Sequence, residues 1–304
     1  MNNAVRRLTA GVAVAAAASS VAHAQSFTDV TVRAGVSFEH RPTADHRSGP
    51  MSGGGAVGDV NGDGFPDLFV LGSGETPDAL FINQRNGRFV NQAEAYGLAE
   101  PHRGTGAAFA DVDSDGDLDL FVTSFGDSDL LLPGTGHHRL YRNDGGRFVD
   151  VAPASGVNFS ATDAPDGYGA TFGDIDLDGD LDLFVAGWHV LGVGNAYGSR
   201  LFRNRGDGTF EDISETAGIL GSSTQAFGAA FQDMDGDFYP ELVVAGDFGT
   251  TRYLRNNRNG TFTELDPGTG APVTLPTDPN WSIGKAHNGM GLAVGDVDGD
   301  LRPD

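Results

Sequence analysis

The stretch DVDSDGDLDLFV, residues 111–122, places carboxylates at five alternate positions and then turns into an apolar run. The acidic part recurs as DVNGDGFPD from Asp59, DIDLDGDLD from Asp174, DMDGDFYPE from Asp233 and DVDGDLRPD from Asp296. Successive copies begin 52, 63, 59 and 63 residues apart. A period of this size marks a chain built from stacked supersecondary units.

The flanks repeat too. A small segment precedes each loop: GGGAVG, GTGAAFA, GATFG, GAAFQ and GLAVG. An apolar run follows each of the first four: LFVLG, LFVTS, LFVAG and LVVAG. Then come ALFIN, RLYRN, RLFRN and RYLRN, a Gly-rich tip, and a closing segment such as RFVDV. Each unit therefore offers four short strands, A to D, with hairpin signals between C and D. Four antiparallel strands in 50–60 residues describe a propeller blade, so the fold class is all-β, a β-propeller with about five blades' worth of sequence at residues 25–304. Small residues suit strand A, the innermost strand, where neighbouring blades crowd. SFTDVTVRAGVSF, residues 26–38, reads as a D segment with its AGV exit but no strands A to C of its own. The fifth copy breaks off inside its A–B loop, so the reading expects a longer parent protein.

In each loop, oxygen side chains fall at positions 1, 3, 5 and 9. These are Asp59, Asn61, Asp63 and Asp67; Asp111, Asp113, Asp115 and Asp119; Asp174, Asp176, Asp178 and Asp182; Asp233, Asp235, Asp237 and Glu241; and Asp296, Asp298, Asp300 and Asp304. The position-7 residues, Phe65, Asp117, Asp180, Tyr239 and Arg302, offer a backbone carbonyl. A calcium ion takes six to eight oxygens, and oxygen-only donors in a tight turn fit that demand better than zinc or magnesium chemistry. Up to five Ca2+ ions are expected. The glycine at position 6, such as Gly64, permits the sharp bend. Phe238 and Leu301 replace it in loops 4 and 5, where Gly236 and Gly299, two residues earlier, are expected to relocate the turn. Those two sites, and loop 1 with its neutral Asn61, are expected to be weaker than loops 2 and 3. An EF-hand would need Glu at position 12, where this chain has Val70, Val122, Val185 and Val244 inside strand-forming runs.

Composition agrees. The formal net charge is −23, and half of the 42 acidic residues lie in the nine-residue loops. Clustered like charge destabilises a compact state unless it is neutralised. The same charge excludes nucleic acid and anionic membrane as natural partners. Hydrophobic residues are 39%, enough for a core, and the absence of Cys removes disulfides and thiolate metal sites. At the N-terminus Arg6 and Arg7 precede an apolar run from Leu8 to about Ala18, and Ala22-His23-Ala24 supplies a small-x-small cleavage pattern. Residues 1–24 thus read as a secretory signal peptide, which places the mature chain in the periplasm, at the cell surface or in the medium, without membrane insertion.

At these residues the sequence resembles the FG-GAP/VCBS repeat proteins, among them the integrin α-subunit propeller, and more narrowly the secreted ASPIC/UnbV, cartilage-acidic-protein-like group. The matching pieces are FTDVT-x-x-AGV, GDVNGDGFPDLFV, FADVDSDGDLDLFV, GDIDLDGDLDLFV, LYRN, LFRN, RNGTFTELD and NGMGLAVGDVDGD. The resemblance implies a calcium-binding propeller, commonly of seven blades, of which this chain would be a fragment. It implies side-chain ligands at positions 1, 3, 5 and 9, and a binding or adhesion role towards an extracellular protein or carbohydrate.

A four-strand meander puts the A–B loops and C–D hairpins at one pole, and the variable B–C and D–A connections at the other. Tyr168, Trp188, His189, Tyr197 and Trp281 lie in or beside those connections and suit a carbohydrate or protein surface. No catalytic site is expected. His40, His46, His137 and His138 fit solvated loops, and no G-x-S-x-G or Cys nucleophile occurs. The alternative is a polysaccharide lyase or hydrolase on the same scaffold, which would need a base such as Lys285 or Arg252 in an open groove.

Overall fold

The computed structural model describes residues 27–42, 53–124, 137–157, 167–187, 199–219, 225–247, 250–265 and 291–293. The chain divides into two units, Met1–Val30 and Thr31–Asp304. The expected signal peptide lies outside the described residues. So do the fifth metal loop (Asp296, Asp298, Asp300, Arg302, Asp304), Trp188, His189, Tyr197, Trp281, His46 and Lys285.

Within the second unit, a helical turn α1 (Thr31–Ala34) precedes four sheets of four antiparallel strands, each in sequence order. Blade 1 holds β1 (Gly55–Gly58), β2 (Asp67–Val70), β3 (Ala79–Asn83) and β4 (Phe89–Asn91), followed by α2 (Ala93–Tyr96). Blade 2 holds β5 (Gly104–Ala110), β6 (Asp119–Ser124), β7 (Arg139–Asn143) and β8 (Phe148–Asp150), followed by α3 (Ala152–Ser155). Blade 3 holds β9 (Ala170–Gly173), β10 (Asp182–Val185), β11 (Arg200–Asn204) and β12 (Phe210–Asp212). Blade 4 holds β13 (Ala226–Gln232), β14 (Glu241–Gly246), β15 (Arg252–Asn256) and β16 (Phe262–Glu264). The strands fall where the repeat placed A to D, and the architecture is that of successive propeller blades.

The two-residue period of a strand explains how blades stack. In β6, Leu120 and Val122 face back into a core shared with Phe69, Leu71, Leu80 and Ile82 of blade 1. Phe121, between them, faces forward into a core with Leu183, Val185 and Phe202 of blade 3. β10 repeats this arrangement: Leu183 and Val185 point back, while Phe184 points forward to Leu242 and Val244 of blade 4. Each forward Phe meets the next blade's strand A edge-on: Phe121 with Phe172 at 6.4 Å and 89°, Phe184 with Phe231 at 6.5 Å and 84°. LFV is therefore a sheet buried on both faces, which is why its apolar run is continuous.

The crowding expected of strand A is present. A Cβ on Gly106 would come within 2.0 Å of Tyr168 O in the next blade, and one on Gly169 within 2.6 Å of Phe227 O. The helical turns also repeat. Gly97, Gly156 and Gly218 follow them with φ near +80° and sit against the carbonyls of Phe148, Phe210 and Phe262, one blade on. Gly35 after α1 sits against Phe89 O in the same way, so Thr31–Gly35 meets blade 1 as a preceding blade's exit would. The expected D strand just before it does not form: residues 27–30 have no regular structure. A D strand needs a C strand beside it, and this segment brings none. Residues 291–293, at the expected fifth strand A, are likewise irregular. Among the described residues no helix is long and apolar enough to cross a membrane.

Candidate metal centres

The four described loops share one backbone design. Position 1 is a double acceptor: in loop 1 the N–H groups of Asp63 and Gly64 donate to Asp59 Oδ1 and Oδ2 (2.9 and 2.6 Å). The same pair of bonds reaches Asp111 from Asp115 and Gly116, Asp174 from Asp178 and Gly179, and Asp233 from Asp237 and Phe238. Position 5 in turn accepts the position-7 N–H: Phe65 to Asp63, Asp117 to Asp115, Asp180 to Asp178 and Tyr239 to Asp237, at 2.8–2.9 Å. These are Asx-type turns, in which short carboxylate side chains substitute for backbone acceptors. In Phe65, Asp117, Asp180 and Tyr239 the structure thus engages the N–H, and the carbonyl expected to serve a metal is a further group of the same residue.

Two positions per loop take the left-handed conformation, not one. Position 4 has φ of 66°, 59°, 60° and 81° at Gly62, Ser114, Leu177 and Gly236, and position 6 has 86°, 96°, 96° and 75° at Gly64, Gly116, Gly179 and Phe238. Gly236 therefore does not relocate the turn as the sequence suggested. Loop 4 keeps the common path, and Phe238, exposed, accepts the strain of a β-carbon there.

Position 9 differs from the others. Asp67, Asp119, Asp182 and Glu241 are buried at the start of strand B. One oxygen of each accepts the position-2 N–H, from Val60, Val112, Ile175 and Met234. In blades 1 to 3 the other accepts the N–H of the Asn ending strand C: Asn83, Asn143 and Asn204, at 2.7–2.9 Å. That Asn was not singled out as a functional residue, although it closes strand C in all four repeats. Its side-chain amide donates to the previous blade: Asn143 Nδ2 to Val60 O (3.1 Å), Asn204 to Val112 O (2.8 Å) and Asn256 to Ile175 O (2.8 Å). Position 9 and the strand C Asn together fasten each loop to its own blade and to its neighbour.

The electrostatics follow from this packing. Burial, with Asp113 and Asp115 nearby and partly offset by the two N–H bonds, pushes the Asp119 carboxyl up to about 6. The same causes push Asp182 up to about 7. Burial also raises Asp67 and Glu241, and it raises Asp113 and Asp176 with help from their carboxylate neighbours. Without a counter-ion the fold presses these groups towards their neutral forms.

Three groups of carboxylates bring ligand atoms within 4.8 Å of one another: Asp111, Asp113 and Asp115; Asp174, Asp176 and Asp182; and Asp233, Asp235 and Glu241. Loop 1, where Asn61 replaces one acid, forms no such all-acid group among the described residues. In loops 2 and 3, Asp113 Oδ1 and Asp176 Oδ1 are buried without a hydrogen-bond donor. A buried acceptor left unmade costs about 1–3 kcal/mol, and a hard cation held by oxygens removes that cost. The residues present therefore fit calcium: an all-oxygen donor set, orphaned acceptors on Asp113, Asp176 and, in loop 4, Glu241, and repulsion awaiting a positive charge.

The expected poles are also present. Arg85 and Arg258, in C–D hairpins, reach Asp63 and Asp237 of the A–B loops. At the other end, one side chain per blade accepts an N–H at or just past the end of strand B: Asp78 from Gly72, His138 from Ser124, Ser199 from Gly187 and Thr251 from Gly246. Asp78 also meets His102 of the D–A connection at 2.9 Å, both side chains buried. Tyr168, expected at an exposed rim, is buried against Phe227 (4.8 Å, 62°) because the chain enters strand A there. His138 is buried rather than solvated, and burial holds its pKa down to about 3. Arg252 is partly buried and pairs with Glu264 (2.8 Å).

Four stretches, residues 59–122, 126–185, 190–244 and 233–304, match the model of the FG-GAP-like repeat. The chain belongs to the FG-GAP-like repeat family. Among curated proteins, this FG-GAP-like chain is 29% identical over 199 residues to cartilage acidic protein 1 of Mus musculus, covering 62% of the chain and 28% of that protein. It is 28% identical over 199 residues to the Homo sapiens protein of the same name, covering 62% of the chain and 27% of that protein. The FG-GAP-like chain thus spans little more than a quarter of these relatives. Among solved structures, the V. cholerae biofilm matrix protein Bap1 is similar at 14% identity and a TM-score of 0.35, over 73% of the chain and 40% of that protein.

Proposed function

We propose that the chain is a calcium-stabilised propeller module that acts outside the cytoplasm by binding a protein or carbohydrate, with calcium structural and no catalytic role. The observation that carries the calcium part is the pair of buried, donorless oxygens, Asp113 Oδ1 and Asp176 Oδ1, set among other carboxylates. Asp111, Asp113, Asp115 and Asp119 would hold one ion, and Asp174, Asp176, Asp178 and Asp182 a second. Loops 1 and 4 offer Asp59, Asn61, Asp63 and Asp67, and Asp233, Asp235, Asp237 and Glu241, while the fifth loop's Asp296, Asp298, Asp300 and Asp304 follow the same spacing. A bound ion supplies charge neutralisation and ties positions 1, 3 and 5 to the buried position 9, and so to strand B.

The signal-peptide pattern of residues 1–24 and the family support an extracytoplasmic location. Binding belongs on the variable connections, which a rigid scaffold presents at the pole away from the loops. A glycan and protein array, probed with the calcium-loaded chain, tests the role. Calcium-dependent retention of one ligand class is expected, and turnover of a retained glycan would contradict the non-catalytic reading.

A further inference from the structure

We infer that Arg85 and Arg258 act as resident cations of loops 1 and 4, so that these loops are partly neutralised by the protein itself while loops 2 and 3 depend on metal. The inference rests on the calcium reading above. Arg85 donates from Nε to Asp63 Oδ2 at 3.1 Å, with a second nitrogen at 3.1 Å from the same oxygen. Asp63 Oδ1 already accepts the N–H of Phe65, so both oxygens of this position-5 carboxylate are engaged. The guanidinium carbon also lies 5.6 Å from the centre of the Phe65 ring, the position-7 side chain. Arg85 is thus seated between an aromatic face and a carboxylate of the loop, a geometry suited to arginine's planar cation. Loop 4 repeats the ion pair: Arg258 pairs with Asp237 Oδ2, whose Oδ1 accepts the N–H of Tyr239.

Both arginines occupy the same hairpin position, two residues after the strand C Asn, and both hold φ near +60°. A non-glycine residue there is strained. Blade 3 places Gly206 at that position, and the shorter hairpin of blade 2 carries Gly145 and Gly146. Three arginines near those two hairpins pair with carboxylates outside the loops, Arg142 with Asp144 and Arg203 and Arg205 with Glu211, although the charge of Arg142 still reaches Asp113 and Asp119. The loops facing these hairpins are the ones with five carboxylates each, whereas an orphaned acceptor occurs in loops 2, 3 and 4. Loops 1 and 4 have three and four carboxylates. A guanidinium that holds position 5 both lowers the charge available to a divalent ion and competes for a ligand.

Calorimetric calcium titration of the whole chain tests this with three variants: Arg85→Gly, Arg258→Gly and the reverse, Gly206→Arg. The glycines copy blade 3 and relieve the left-handed strain, so both variants should fold. Each is expected to raise calcium affinity at one loop about tenfold, adding one ion to the tight class. Gly206→Arg is expected to remove one ion from that class. A wild-type chain that binds calcium, with all three variants reproducing its isotherm, overturns the arginine inference and leaves the calcium reading intact. No heat of binding in any of the four proteins overturns the calcium reading itself, and the inference with it.

Discussion

Blade 3 is held at its two ends by different chemistry. At the loop pole, Asn204 receives and gives bonds across two blades: its N–H to Asp182, its amide to Val112 O and Leu181 O, and its Oδ1 from Gly206 N–H. At the other pole, Ser199 Oγ accepts the N–H of Gly187, twelve residues back in its own blade. The loop pole repeats the same residues blade after blade. The opposite pole solves the same problem with Asp, His, Ser and Thr in turn. The recurring architecture is thus carried by the acidic-loop end, and the side chains at the other end vary from blade to blade.

The contrast can be broken first by pH in the presence of chelator. Asp119 and Asp182 have folded-state values of about 6 and about 7, above their ordinary 3.8. Between 3.8 and those values the folded chain binds more protons than the unfolded chain, so stability falls as pH rises through that window. The chelated protein is expected to gain stability as pH drops from 7 to 5, on the order of a few kcal/mol. Calcium, which binds the ionised carboxylates, should erase that gain. A chelated protein whose melting is flat over this range would mean that the loop pole is not electrostatically loaded.

Next in size is Asn204→Ala, which strands buried carbonyls in two blades and is expected to cost about 2–3 kcal/mol in urea unfolding. Ser199→Ala, at the opposite pole of the same blade, is expected to cost about 1 kcal/mol. Equal losses would remove the distinction between the poles. The smallest effect is expected from Phe238→Gly, a gain of about 0.5–1 kcal/mol as left-handed strain at an exposed site is relieved.

Much of this was legible in the sequence because the repeat supplied its own comparison. Four copies of small segment, acidic loop, LFV run and Arg-Asn strand marked out strands A to D, and the loop at 111–119 supplied the candidate ligands. Position 9's second task was hidden, because it depends on a backbone N–H from strand C, 16 to 24 residues away. The left-handed position 4 was masked by Ser114 and Leu177, which are not residues that announce such a conformation. Tyr168 was misplaced because an aromatic beside a variable connection reads the same whether it faces solvent or the next blade's Phe227. At the opposite pole Asp78, His138, Ser199 and Thr251 share a role without sharing a chemistry, so no pattern could reveal it.

The most direct test of a metal-dependent loop pole is thermal unfolding of the full chain with saturating calcium and with chelator, alongside the double variant Asp113→Asn, Asp176→Asn. The wild-type midpoint is expected to rise by several degrees on adding calcium, and most of that rise should vanish in the variant. An unchanged wild-type midpoint, or a variant that keeps the full rise, would contradict it.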